Sequence, residues 1–104
     1  MTASSYQASY EVLDDMDVKS PRFFSVVLLN DDFTPMDFVV WVLQDIFHKS
    51  YDESQALMMK IHTEGKGYCG VFTYEVAESK VMQVRQAADR HSHPLSCILE
   101  EVSL

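Results

Sequence analysis

The sequence predicts a single α+β domain of two layers, a small three-stranded sheet covered on one face by three helices. The chain has 104 residues, enough for one modest core and too few for two. Its hydrophobic share of 47% and aromatic share of 12% are globular values. Along it the apolar residues switch between two-residue alternation and helical spacing, in the order β-α-α-β-α-β.

Residues 1–20 carry Ser4, Ser5, Ser9, Asp14, Asp15 and Asp17, with apolar residues at no regular period. That composition predicts a flexible acidic N-terminal extension ending at Pro21, and residues 21–104 are expected to form the folded core. Arg22 to Leu29 reads as the first strand, with Phe24, Val26 and Leu28 on one side and Phe23, Ser25, Val27 and Leu29 on the other. The run stops at Asn30, Asp31 and Asp32. Thr34 is then a candidate N-cap and Pro35 a candidate first helical residue, with Asp37 placing negative charge near the positive helix end.

The first helix is expected from about Pro35 to His48, with Met36, Val39, Val40, Leu43, Ile46 and Phe47 sharing its apolar face. Trp41 falls among the polar positions, as a half-covered surface aromatic or a partner contact. Ser50 and Glu53 match a capping box that opens a second helix at Tyr51 or Asp52. Leu57, Met58 and Ile61 form its buried face, and His62 stands at the border of that face. Gly65, Lys66 and Gly67 stop this helix and turn the chain into a strand over Tyr68 to Thr73. Thr73 is expected to cap a third helix, buried along Ala77, Val81, Val84 and Ala88. His91 to Pro94 ends it, and Leu95, Cys97 and Leu99 alternate with Ser96, Ile98 and Glu100 in the last strand.

A formal charge of −8 argues against nucleic acid and against an anionic membrane surface, and favours a cationic ligand or a basic partner. Cys69 and Cys97 lie far apart inside apolar runs, where two free buried thiols of a reducing compartment are expected. No charged-then-apolar leader or bilayer-length apolar run occurs, so a cytoplasmic location is expected.

Chemistry concentrates at Asn30, Asp31 and His62. The first two leave a strand, the third lies on the helix after the next one, and a helical hairpin brings such positions within reach of one another. Met36, Val39, Leu43, Met58 and Ile61 supply an apolar lining, and methionine adapts to varied side chains. A polar rim over an apolar pit suits a group cationic at one end and bulky and apolar at the other. The N-terminal residue of a peptide beginning with Phe, Leu, Tyr or Trp is such a group. An enzyme reading makes Asp31 and Asp32 with His62 metal ligands or an acid–base pair, but no HExxH, CxxC, nucleophile elbow or phosphate loop supports it. Cys69 and Cys97 with His91 and His93 lack the close cysteine spacing usual in a zinc site. A plain interaction domain with no preference for a chain terminus is a third class.

The stretch Asn30-Asp31-Asp32-Phe33-Thr34-Pro35-Met36 ahead of an apolar helix resembles the ClpS family, adaptors of the bacterial AAA+ Clp proteases. Ile61, His62, Gly65, Lys66 and Gly67 followed by Cys69 to Lys80 resemble the same family, as does His93 to Glu100, and together they span roughly Pro21 to Val102. The resemblance implies an antiparallel sheet, a protein that is not an enzyme and needs no cofactor or metal, and recognition of N-degrons with a free α-amino group. By the family's pattern Asn30, Asp31 and His62 hold the ammonium. Thr34, Met36, Val39, Met58, Ile61 and Leu95 surround the side chain, with Asp32 at the mouth. Glu75, Glu78 and Lys80 match the patch that docks on the N-terminal domain of a ClpA-type AAA+ unfoldase. The extension would take part in delivery to the protease, and the free adaptor would be monomeric. Ile61 stands where the family carries valine, which narrows the pit slightly.

Overall fold

A computed structural model describes residues 22–103 as β1 (Phe23–Leu29), α1 (Met36–Asp45), α2 (Tyr51–Glu64), β2 (Lys66–Thr73), α3 (Tyr74–Arg90) and β3 (Ser96–Val102). The acidic extension expected over residues 1–20 lies outside the described residues. The sheet order is β2-β1-β3 and both pairings are antiparallel. β1 takes the middle because it carries the longest apolar run, with Ser25 to Leu28 all buried. Val26 and Leu28 enter the core with Cys69 and Cys97 from the flanking strands. Val27 points the other way, between Tyr68 and Ile98 in the register, and is also fully buried.

The helices cover the face that carries Val26 and Leu28. α3 contributes the expected stripe of Ala77, Val81, Val84 and Ala88, with Ala87 beside it. α1 is more deeply set than its wheel implies. Phe38 and Val42 are buried together with Val39, Val40, Leu43, Ile46 and Phe47, while Met36 stays 44% exposed. Phe38 is covered by the segment after α3, where its ring meets His93 edge-on with centroids 4.6 Å apart. α2 opens with the expected capping box, Ser50 accepting from the Glu53 amide and Glu53 accepting from the Ser50 amide.

Four local expectations are revised. Thr34 is not the N-cap of α1: Pro35 holds that position and Met36 begins the helix, while the Thr34 hydroxyl donates to the Asp31 carboxylate. α1 stops at Asp45 rather than His48. His48 turns left-handed at φ 58°, the Lys49 amide returns to the Leu43 carbonyl at 3.1 Å, and Lys80 Nζ donates to the Ile46 carbonyl at 2.7 Å. Thr73 sits at the N-cap of α3 but makes no side-chain capping bond. β2 begins at Lys66, not Tyr68, because Lys66 and Gly67 already pair with Leu29 and Leu28.

Two glycines set the junction between α2 and the sheet. Gly65 ends α2 at φ 95°, a conformation that side chains rarely adopt, and its carbonyl accepts from the Asn30 amide at 2.9 Å. At Gly67 an added Cβ would stand 2.6 Å from Ile61 Cγ1 and 2.9 Å from Leu57 Cδ1, so β2 approaches α2 as closely as glycine permits.

Candidate functional site

The loop from Asn30 to Pro35 is held at both ends. Its first amide is tied to the end of α2 through Gly65, which places Asn30 beside the last turn of that helix. Within the loop the Asp31 carboxylate is the anchor. Its Oδ1 accepts from the amides of Phe33 and Thr34 at 2.8 and 2.7 Å, and its Oδ2 accepts from the Thr34 hydroxyl at 2.8 Å. Partial burial pulls the carboxyl's pKa up. The Thr34 and Phe33 bonds and the nearby His93 outweigh that effect, and the carboxyl titrates below its ordinary value. A carboxylate offers about four lone-pair positions, so roughly one remains for a ligand.

This loop, the first turns of α1 and the last turns of α2 enclose a cleft of about 370 Å³. Asn30, Asp31, Asp32 and His62 stand at its polar margin, and Thr34, Met36, Val39, Met58 and Ile61 line the remainder. A small pit behind it is closed by Leu95 and by Leu29, a residue that the periodicity of β1 assigns only to the sheet. Val39, Met58, Ile61 and Leu95 are all buried, so the floor is apolar and rigid, while His62, Asn30 and Asp32 are exposed. Phe33 and Pro35 also line the cleft; Phe33 is 80% exposed, and its position between Asp32 and Thr34 was the available signal.

One expected pocket residue is absent from the cleft. Leu43 is fully buried in the central core, two turns along α1 from Met36. Glu75 and Glu78 are exposed on the first turns of α3, with Glu78 accepting from the Tyr74 hydroxyl at 3.1 Å. Lys80 is half-buried and spends its ammonium on the Ile46 carbonyl.

Cys69 and Cys97 are buried and free, and burial pushes both thiols up to about 12. No group of three His, Cys, Asp or Glu side chains placed to hold a metal occurs among the described residues. No helix among them is long and apolar enough to cross a membrane.

The model of the family described as ATP-dependent Clp protease adaptor protein ClpS matches residues 19–98. The chain belongs to the ClpS family. The ClpS adapter of Wolinella succinogenes is 48% identical over 101 residues, spanning 97% of this chain and 99% of its own length. That of Hydrogenovibrio crunogenus is 58% identical over 85 residues, 82% of each chain. A solved structure of Agrobacterium tumefaciens ClpS2 bound to L-phenylalaninamide superposes with a TM-score of 0.77 at 32% identity, covering 80% of this chain and all of that one. ClpS relatives are thus named as adapters of the Clp protease, not as enzymes. The antiparallel three-stranded sheet under three helices is the ClpS fold.

Proposed function

We propose that this chain is a cytoplasmic adaptor that binds the free N-terminal residue of a substrate beginning with Leu, Phe, Tyr or Trp and delivers it to a Clp AAA+ unfoldase. The observation that carries this is the meeting of Asn30, Asp31 and His62 at one margin of a cleft floored by Val39, Met58 and Ile61. An α-ammonium donates to that margin, and its side chain enters the apolar part. The ligand of the Agrobacterium relative has this chemistry, a free α-amine next to a benzyl group.

The magnitudes fit a reversible binder. Burying a Leu or Phe side chain is worth roughly 1.5–3 kcal/mol. Each charge-assisted bond adds about 1.5–3 kcal/mol. After an association cost of several kcal/mol, roughly micromolar affinity remains. Glu75 and Glu78 on α3 are the surface offered to the N-terminal domain of the unfoldase, and Lys80 holds that surface to the end of α1.

The experiment is fluorescence anisotropy with peptides that differ in their first residue, each with a free and an acetylated amine. Free Phe and Leu peptides bind and acetylated ones lose at least tenfold; equal binding of the two forms refutes the proposal. Delivery is read separately, from degradation of an N-degron reporter by the reconstituted protease. A chain lacking residues 1–20 keeps peptide affinity, since among the described residues the cleft is lined from Asn30 onward, and loses delivery.

A further inference from the structure

α1 and α2 form an antiparallel hairpin, so the groove between them runs from the His62–Met36 end, where the cleft lies, toward the other end of the pair. Beyond Met36 and Met58, which line both spaces, it opens into a second recess of about 430 Å³. Trp41 and Tyr51 face this recess from opposite helices, with Asp37 and Gln55 beside them. Both rings are held. Trp41 stacks on Phe38 with centroids 5.7 Å apart and planes 25° apart, and the Tyr51 hydroxyl accepts from Gln55 Nε2 at 2.7 Å. Both nonetheless remain accessible, Trp41 by 41% and Tyr51 by 58%. Among the described residues, Asp37 carries the one formal charge lining the recess, and no Lys or Arg lines either space.

We propose that this recess is a second binding site, taking the third side chain of a peptide seated in the cleft and favouring arginine. It rests on the cleft binding an N-terminal residue. With the ammonium at Asn30, Asp31 and His62, the proposed path of the peptide follows the groove past Met36 and Met58, the two residues that line both spaces. In an extended chain the first and third side chains point the same way, about 7 Å apart. That separation carries the third side chain over the methionine ridge. From His62 to Tyr51, α2 advances about 16 Å, which leaves room for it. A guanidinium lies flat on an aromatic face while donating to a carboxylate, which an ammonium on a lysine stem does less well.

The test uses C-terminally labelled peptides beginning Phe-Ala-Ala, Phe-Ala-Arg and Phe-Ala-Glu, and one with its arginine at the sixth position, each with free and acetylated amine. Arginine at the third position tightens binding about fivefold over alanine, and glutamate weakens it. It also changes the emission of Trp41, the only tryptophan of the chain. The arginine-to-alanine ratio falls to about one in Trp41→Ala, and drops in Asp37→Asn and Tyr51→Ala, both at exposed positions. An equal gain from arginine at the sixth position, or a ratio kept in all three variants, overturns the proposal in favour of general charge attraction. The alanine peptide reports the cleft alone. If it discriminates free from acetylated amine while the ratio is one, only the recess is refuted; if it does not, both are.

Discussion

Thr34 holds the Asp31 carboxylate at both oxygens, with its amide 2.7 Å from Oδ1 and its hydroxyl 2.8 Å from Oδ2. The carboxylate therefore shapes the loop as well as facing the cleft. Asp31→Ala is expected to reduce affinity for a Phe-initiated peptide at least tenfold, about 1.4 kcal/mol. Thr34→Val keeps the bulk and loses only the hydroxyl, and should lose affinity by a smaller factor. Peptide anisotropy checks both; parent affinity in Asp31→Ala removes it from the site.

The same bonds set a pH dependence. Asp31 titrates below its ordinary 3.8 in the folded chain, so its contribution is full above that value and is lost as pH falls through the lowered one. The carboxyl carbon of Asp31, followed by NMR, should show its inflection below 3.8, and Thr34→Val should move it upward. An unchanged inflection in that variant means the hydroxyl does not hold the carboxylate in solution.

Met36 is exposed at the ridge between the two spaces, with Met58 buried opposite. A long side chain at that place is expected to narrow the entrance to the floor and to exclude side chains branched at Cβ. Met36→Ala is expected to admit Ile- and Val-initiated peptides. A ranking of Leu over Ile as steep as the parent's shows that Met36 is not the gate.

Lys80 differs from Glu75 and Glu78 in binding a backbone carbonyl at the end of another helix. Removing its bond to Ile46 leaves the end of α1 uncapped, at about 1 kcal/mol, or roughly 4–8 °C in Tm for a domain of this size. Glu75→Ala and Glu78→Ala should leave Tm nearly unchanged. Thermal melts of the three variants decide this, and a Lys80→Ala melt equal to the parent's means the contact carries no stability.

Burial holds both thiols near 12, far above neutral pH. The native chain should react with iodoacetamide only slowly at pH 7.5, and both cysteines rapidly after denaturation. Fast labelling of the folded chain at either residue contradicts that burial.

The sequence by itself determined the order of elements and the materials of the site. Alternation, helical spacing, the Ser50–Glu53 box and Gly65 mark β1, α2 and α3 within a residue or two, because periodicity and capping act between neighbours in the chain. Asn30, Asp31 and His62 were legible as one constellation, because short connections leave a helical hairpin little freedom. Long-range contacts decided the rest. Phe38 is covered by the segment after α3, Leu43 sinks into the core instead of the cleft, and Leu29 joins the inner pit. Thr34 abandons its helix for Asp31, and α1 ends where Lys80, far along the chain, reaches the Ile46 carbonyl. Each of these depends on which surface arrives opposite a residue, and a residue's own neighbours in sequence carry no record of that.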